Sequence, residues 1–197
     1  LDRICRKLKL SSKDHVLEIG TGWGSFAIHA AKNYGCRVTT TTISDNQFQY
    51  ASDLISKEKL ENKITLLSKD YRELEGSFDK VVSIEMIEAV GADYVSSFFE
   101  KMSSLLKKNG LMALQGITYN DPDFDAYKNS VDFIRKYIFP GSCLVAMPQI
   151  MQAIKEKTDM VMIDSEDITL HYARTLNLWR EDFQKALPEV KDLGFSE

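Results

Sequence analysis

Three glycines that follow a short apolar segment constrain the fold of this chain more than any other feature of its sequence. The segment HVLEIG, residues 15–20, predicts a buried strand, and the GTGWG run of residues 20–24 begins at its last glycine. An alanine-rich helix is predicted over 23–33. Glycines at a strand-to-helix turn let the backbone turn tightly and approach a ligand closely. The pattern predicts the first unit of an α/β fold with a ligand-binding loop; the alternative is a plain turn without a ligand.

The alternation of strand and helix continues over the next hundred residues. Strands are predicted at 36–44, 63–68, 79–85 and 111–117, and helices at 44–59 and 94–106. Apolar residues make up 44% of the 197 residues, which is enough to bury a core and excludes a disordered chain. Such alternation predicts a doubly wound parallel sheet with helices on both faces.

The pattern changes after residue 118. Helices are predicted at 124–138, 148–157 and 176–186, with a sixth strand at 160–163. No linker or repeat interrupts the chain, so we expect a single domain over 1–197, in which 119–158 form a helical cap inserted after the fifth strand. The first residue is Leu, and we therefore expect a fragment of a longer protein.

Composition excludes several classes of function. The three Cys form no CxxC pair and the three His have no metal-ligand spacing, so we expect no bound metal and a reducing, cytoplasmic location. A net charge of −4 argues against a nucleic-acid partner. No segment of the sequence has the length and apolar character of a membrane span.

The first ten residues predict a short basic amphipathic helix, since LDRICRKLKL is too charged for a signal peptide. Leu1, Ile4 and Leu8 form an apolar stripe with basic side chains around it. Either the stripe dips into a membrane surface, as in a peripheral protein at the inner membrane face, or it packs on the domain.

The glycine spacing favours one class of cofactor. A dinucleotide site requires GxGxxG and an acidic residue at the end of the second strand, whereas this chain has GxGxG and the uncharged run TTTTIS at 39–44. Glu18 lies two residues before the first of these glycines. That position is typical of folds that bind S-adenosylmethionine, in which the carboxylate orients the loop near the ligand's ammonium group.

Five segments extend this interpretation: VLEIGTGWGSFAIHAA, VTTTTISDNQ, DYREL, FDKVVSIEMIEAVG and YIFPGSCL. Together they resemble the cyclopropane-fatty-acyl-phospholipid synthase family, whose relatives include the mycolic-acid cyclopropane synthases. The resemblance runs from about residue 5 to about residue 185. It implies a Rossmann-like class I methyltransferase sheet, and the C-terminal strand of that sheet is expected to lie outside this chain. It also implies transfer of a methylene group from S-adenosylmethionine to the double bond of an unsaturated phospholipid acyl chain, with S-adenosylhomocysteine as product.

The resemblance also implies roles for individual residues. A bound bicarbonate would serve as the base, held by Glu88 with Gln115 and Ile117 beside it, although Glu85 and Glu88 also suit a solvated helix start. Substrate contacts are expected from Tyr137, Phe139 and Tyr172, for which core packing is the alternative. The residues expected at the cofactor are Glu18, Gly20, Gly22, Gly24, Thr42, Ile43, Ser44, Gln47, Asp70, Tyr71 and Ser83.

Three further functions stay open at this point. The chain could belong to a relative that stops at methyl transfer, to a small-molecule methyltransferase, or to a cofactor-binding module without catalytic activity, because a fold does not fix a substrate. Assembly into a homo-oligomer is also left open by the sequence.

Overall fold

The computed structural model describes residues 1–195 and confirms the predicted α/β class. Over these residues the strands form one parallel sheet in the order β3-β2-β1-β4-β5. The winding direction reverses between β1 and β4, which is where doubly wound sheets bind their ligands. The strands are β1 (His15–Ile19), β2 (Arg37–Thr42), β3 (Ile64–Ser68), β4 (Phe78–Ile84) and β5 (Leu106–Gln115).

Helices cover both faces of the sheet, as the alternation predicts. Neighbouring residues of a strand face opposite sides, so Val16 packs in one apolar cluster and Leu17 in the other. The first cluster contains residues of α1 (Asp2–Lys7), α2 (Ser25–Tyr34) and α3 (Asp45–Lys57). The second contains residues of α4 (Val95–Leu105) and α6 (Met147–Lys157).

The start of the chain packs on the domain. Cys5 and Leu8 are buried in the first cluster, and Ile4 packs against it. Insertion of the stripe into a membrane is therefore wrong for Ile4 and Leu8; Leu1 is exposed.

The helix predicted over 124–138 is interrupted. It consists of α5 (Phe124–Lys128) and a separate π-helical turn, Ile134–Ile138. Arg135 lies within this turn, and its guanidinium donates to the backbone carbonyls of Tyr127, Ser130 and Ser142. The bonds to Tyr127 and Ser130 satisfy carbonyl groups that a continuous helix would pair internally, so they stabilise the break.

The structure also corrects other predicted elements. The second helix begins at Ser25 rather than at Trp23, because Gly24 has a φ of +84° and acts as its N-cap. The strand predicted at 160–163 is wrong: these residues pair with no strand in the described part of the chain. A β-branched run forms a strand only where a neighbouring strand offers backbone partners.

The chain divides into two compact units, Leu1–Val161 and a second that begins at Met162. The second unit contains α7 (Thr169–Asp192), in which no residue is buried. A compact unit is not by itself an independently folding domain, so the single domain over 1–197 stays a prediction, as does a further strand outside this chain. The helical cap over 119–158 also stays a prediction; its helix α6 packs in the second cluster beside the sheet.

Candidate functional site

The glycine-rich loop after β1 is a tight turn fastened to β2. The N–H groups of Gly20 and Thr21 both donate to the carbonyl of Thr41, at 3.2 and 2.9 Å. Gly22 has a φ of +52°, and no atom lies within 4 Å of the position that its Cβ would take. This backbone conformation favours glycine, and the open space beside Gly22 lets a ligand approach the main chain closely.

Glu18 is the buried carboxylate of this site. It is 2% exposed, and in its ionised state it accepts a hydrogen bond of 2.7 Å from the hydroxyl of Thr40. The hydroxyl of Thr21 lies 2.7 Å from that of Thr40 and must donate to it, because Thr40 gives its single proton to Glu18. Burial raises the pKa of Glu18 to about 8, and the bond from Thr40 opposes the rise. A cation bound beside Glu18 would favour the ionised form.

The predicted cofactor residues after β2 form one hydrogen-bonded group. Thr42 donates through its hydroxyl to Oε1 of Gln47 at 2.8 Å, and it accepts from the N–H of Ser44 at 3.1 Å. Ser44 is the N-cap of α3 and accepts from the N–H of Gln47 at 3.4 Å. Ile43 is exposed next to this group.

Asp70 and Tyr71 follow β3 at the same edge of the sheet. Arg72 holds the Asp70 carboxylate with two side-chain bonds, Nε to Oδ1 at 2.9 Å and a terminal nitrogen to Oδ2 at 2.6 Å. The bond from Arg72 lowers the pKa of Asp70, so the group is ionised and its remaining lone pairs can still accept. The Tyr71 ring packs edge-on against Phe98 at 5.4 Å, and burial raises the pKa of its hydroxyl.

Ser83 lies near the end of β4, in register with Ile19 of β1 and Leu114 of β5. Its side chain is fully buried, and its Oγ has no hydrogen-bond partner. Within residues 1–195 only three buried side-chain polar atoms lack a partner, and two of them are Ser83 Oγ and Glu88 Oε2. Such atoms require an explanation, and a bound ligand is one.

Glu88 connects the segment after β4 to the segment after β5. Its Oε1 accepts from the N–H of Ile117 at 2.6 Å, whereas its half-buried carboxylate leaves Oε2 without a partner. Burial is the main cause that raises the pKa of Glu88; the bond from Ile117 opposes the rise, and the charge of Glu85 adds to it. A carboxylate in this state suits a site that stores or accepts a proton.

Gln115 lies beside this bridge but binds a different carboxylate. Its Nε2 donates to Oε1 of Glu85 at 2.9 Å, and the N–H of Glu85 donates to the carbonyl of Gln115 at 2.8 Å. Glu85 has a φ of +51°, a left-handed conformation that costs an L-residue roughly 1–2 kcal/mol. Strain of this kind is typical of functional sites.

The cap is joined to the same two segments. The N–H of Cys143 donates to the carbonyl of Glu88 at 2.9 Å, and the N–H of Tyr119 donates to the carbonyl of Val145 at 2.8 Å. The cap residues around 143–145 therefore share backbone hydrogen bonds with both sides of the Glu88 bridge.

The three predicted substrate residues are divided between the two units. Tyr137 and Phe139 lie on the cap and are 61% and 62% exposed, so the core-packing alternative is wrong for them. Tyr172 belongs to α7 in the second unit, where its ring lies 6.3 Å from that of Trp179. A substrate role stays a prediction for all three.

Sequence reasoning missed Thr40, Arg72 and the role of Glu85 as the partner of Gln115. A signal existed for Thr40, because it lies opposite Glu18 in the β1–β2 register. The positive φ of Glu85 gives no comparable signal in the sequence.

No helix among residues 1–195 is long and apolar enough to cross a membrane. The same described residues contain no group of three or more His, Cys, Asp or Glu side chains that could hold a metal ion.

The whole chain, residues 1–197, matches the model of the mycolic acid cyclopropane synthetase family. It is 34% identical over 197 residues to a tuberculostearic acid methyltransferase of Mycobacterium tuberculosis, covering 100% of this chain and 46% of that protein. It is 37% identical over 193 residues to the cyclopropane-fatty-acyl-phospholipid synthase of Escherichia coli K12, covering 98% of this chain and 48% of that protein. The chain thus spans less than half the length of these curated relatives.

Among solved structures, mycolic acid cyclopropane synthase CmaA1 complexed with SAH and CTAB superposes with a TM-score of 0.86 at 25% identity, covering 95% of this chain and 69% of that one. The sheet order, the glycine loop and this likeness define a Rossmann-like fold of the class I methyltransferases. The chain belongs to the mycolic acid cyclopropane synthetase family.

Proposed function

We propose that the protein transfers a methylene group from S-adenosylmethionine to the double bond of an unsaturated phospholipid acyl chain and forms a cyclopropane ring. The observation that carries this proposal is the Glu88 bridge, which leaves one buried carboxylate oxygen without a partner beside the backbone N–H of Ile117. It lies after β4, on the side of the sheet's switch point opposite the glycine loop.

The residues at the carboxyl ends of β1, β2 and β3 form the cofactor edge of the sheet. They fit S-adenosylmethionine, which would supply an electrophilic methyl group. Gly22 gives the main chain open space for a close approach, and Glu18 supplies a buried carboxylate for the ligand's ammonium group. Thr42, Gln47 and Asp70 offer polar atoms for the ribose and adenine. The cofactor bound by the relative CmaA1, SAH, is consistent with this assignment.

The residues of the β4–β5 edge fit a small anion that carries a proton, such as bicarbonate, which would supply a base. The alkene forms a bond to the methyl carbon as the carbon–sulfur bond breaks and S-adenosylhomocysteine is released. The transferred methyl group of the resulting cation then loses one proton to the base, and the electron pair of that C–H bond closes the ring. Glu88 Oε2 can accept a hydrogen bond from a protonated anion, and its raised pKa also lets Glu88 hold a proton itself. Either state places a proton between the two groups, which reduces their mutual repulsion.

The lipid substrate is supported by the cap. One segment carries six exposed apolar side chains: Val131, Phe133, Ile134, Tyr137, Ile138 and Phe139. Such a patch is larger than scattered surface residues and suits contact with an acyl chain. Tyr137 and Phe139 are the contacts that we expect first, and Tyr172 is assigned to the same substrate from the family pattern.

A second candidate reaction closes no ring: after methyl transfer the cationic acyl chain loses a proton from a neighbouring chain carbon to the base and becomes a methyl-branched alkene. The name of the tuberculostearic acid methyltransferase, similar over the whole of this chain, favours it. The two remaining candidates are a small-molecule methyltransferase and a cofactor-binding module without activity.

The test uses the full-length protein, because the curated relatives are about twice as long as this chain. The protein is incubated with S-adenosylmethionine and vesicles of mono-unsaturated phospholipid, and the fatty acids are analysed by mass spectrometry and proton NMR. We expect a product one CH₂ heavier with a cyclopropane methylene resonance; saturated vesicles are the matched control. A methyl-branched product would support the second candidate. Cofactor binding without turnover would support the silent module, and methylation of soluble acceptors alone would support the small-molecule methyltransferase.

We further propose a weak, charge-based contact with the membrane surface at a cytoplasmic location. Arg6 and Lys9 of the first segment are exposed, although Arg6 also pairs with Asp2 at 3.2 Å. Binding to vesicles should require anionic lipid and decrease with salt. Binding that is insensitive to both would contradict it. A homo-oligomer stays untested; its mass in solution can be measured directly.

A further inference from the structure

We propose that Glu85 is a positioning residue that holds the Gln115 amide in one orientation beside Glu88. This inference rests on the proposed function, since it concerns the same β4–β5 edge. The observations that carry it are the side-chain bond from Gln115 Nε2 to Glu85 Oε1 at 2.9 Å and the left-handed φ of Glu85.

The first step concerns the amide. A Gln side chain can turn over and exchange its oxygen for its nitrogen, which exchanges an acceptor for two donors. An ionised carboxylate only accepts, so it can face only the nitrogen end. Glu85 therefore keeps the nitrogen of Gln115 on its own side and the oxygen away from it. A group bound near Glu88 then meets a single arrangement of donor and acceptor, which is the preorganisation that a catalytic site requires.

The second step concerns the backbone. Glu85 follows the last residue of β4, and its N–H continues the β4–β5 ladder to the carbonyl of Gln115 at 2.8 Å. Among residues 1–195, three other non-glycine residues have a positive φ: Lys9 and Lys59 lie just after helices, and Asn109 precedes Gly110. Glu85 instead terminates a central strand directly before the Glu88 segment. Glycine would adopt this conformation without strain. The presence of Glu at a strained position therefore indicates that its side chain has a role there.

The third step concerns charge. The Glu85 carboxylate raises the pKa of Glu88, in addition to the effect of burial. Loss of the Glu85 charge should therefore lower the pKa of Glu88 and move the acid limb of the pH profile of kcat to lower pH. Glu85 is exposed, so solvent screens this effect and the shift should be small.

The experiment compares Glu85→Ala, Glu85→Gln and Glu85→Gly in the full-length protein. We expect kcat to fall about tenfold in Glu85→Ala and Glu85→Gly, because a hydrogen bond to a charged acceptor typically contributes that much. The Kd for S-adenosylmethionine should stay within about twofold, since the glycine loop is unchanged. Glu85→Gln should retain part of the activity, because its amide oxygen can still accept from Gln115.

Stability separates positioning from a structural role. Glu85→Gly relieves the left-handed strain, so its Tm should not fall below that of the unchanged protein although kcat falls. The matched control is Asp53→Asn, which alters a similar exposed pair on α3, where Gln49 Nε2 donates to Asp53 Oδ1 at 3.0 Å. It should leave kcat unchanged. A fall in Tm that parallels kcat in Glu85→Gly, or unchanged kcat in an active protein, would overturn the proposal.

A second measurement needs no activity and so separates this inference from the proposed function. In ¹⁵N-labelled protein, the side-chain amide resonance of Gln115 is assigned by its absence in Gln115→Glu. We expect it to shift in Glu85→Ala and to stay unshifted in the control Asp53→Asn. If the protein proved inactive, the proposed function would fail, whereas a shifted resonance would still support positioning by Glu85. A resonance unshifted in Glu85→Ala would overturn it whatever the activity.

Discussion

Two carboxyl groups at the carboxyl edge of the sheet, the buried Glu18 and the half-buried Glu88, differ in how many of their oxygen atoms have hydrogen-bond partners. Glu18, on the cofactor side, is 2% exposed and accepts from Thr40, which is itself held by Thr21. Glu88, on the opposite side of the switch point, has one oxygen on the Ile117 N–H and the other without a partner. Burial raises the pKa of both. The ionised form of Glu18 can bind a cation. Glu88 can hold a proton on its second oxygen or accept a hydrogen bond there from a donor.

This difference predicts that substitutions at the Glu88 site lower kcat without weakening cofactor binding, and that substitutions at the glycine loop weaken cofactor binding. In the full-length protein, Glu88→Gln should lower kcat by about 10²–10⁴-fold, the usual contribution of a general base, because the variant should no longer hold the bicarbonate that acts as the base. Binding of S-adenosylmethionine, measured by calorimetry, should be unchanged.

Glu100→Gln is the control for Glu88→Gln, since it changes an exposed carboxylate of α4. The division into two edges is wrong if Glu88→Gln weakens cofactor binding as much as it lowers kcat.

Gly22→Val should give the opposite failure. A β-branched side chain at φ +52° is strained and fills the space that the ligand requires, so affinity for S-adenosylmethionine should fall on the order of 100-fold, equivalent to about 2.8 kcal/mol. The measurement is a binding isotherm, followed where needed by the fluorescence of Trp23.

Gly141→Val controls for strain alone. Gly141 has a φ of +85° and no atom within 4 Å of a built Cβ, but it lies in the cap. Its variant should be destabilised and still bind the cofactor. Equal losses of affinity in both variants would show that strain, and not the ligand's space, explains Gly22.

Protonation of Glu18 should appear in the pH dependence of binding. The ammonium group of the ligand favours the ionised form, so affinity should rise about tenfold per pH unit up to the pKa of about 8 and then level off. One proton should be released on binding near pH 7, measurable by calorimetry in buffers of different ionisation enthalpy. A flat profile across this range would remove Glu18 from the ammonium site.

The same raised pKa affects the ligand-free protein. Its folded-state value lies above the ordinary 4.5 of a Glu side chain, so the contribution of Glu18 to stability is full below pH 4.5 and is lost as the pH rises through about 8. Bound cofactor should offset this loss.

The two edges also differ in how far the sequence predicts them. The cofactor edge follows from local patterns: the glycine run sets the loop, Ser44 caps α3, and the alternation of apolar segments sets the sheet. The position of Glu88 follows from the family pattern. Its hydrogen bond from Ile117, and the hydrogen bond that Gln115 donates to Glu85, depend instead on where β4 ends. No local preference predicts a left-handed Glu.

The cap was predicted least well, for a similar reason. The aromatic spacing over 124–138 is helical. The structure nevertheless has a break after Lys128, which hydrogen bonds from the Arg135 side chain to backbone carbonyls stabilise. The run at 160–163 has the composition of a strand but no partner strand in the described residues. The break in the helix and the absence of the strand both depend on contacts with residues distant in sequence, which a local sequence pattern does not contain.

The smallest predicted effect concerns the hydrogen bond that the Glu18 carboxylate accepts from Thr40. Thr40→Val keeps the shape of a buried side chain and removes the hydroxyl that donates to Glu18. The bond lowers the pKa of Glu18, so its loss should raise that pKa above about 8. At pH 7 a smaller fraction of Glu18 is then ionised, and affinity for S-adenosylmethionine should fall by about tenfold or less, the range expected for one neutral hydrogen bond. Thr39→Val is the matched control, because Thr39 lies on the same strand and its hydroxyl contacts His15 at 2.9 Å instead. The loss in Thr40→Val should diminish as the pH rises towards 9, where Glu18 ionises without help. A loss that stays constant with pH would mean that Thr40 acts on the shape of the loop, through Thr21, and not on the ionisation of Glu18.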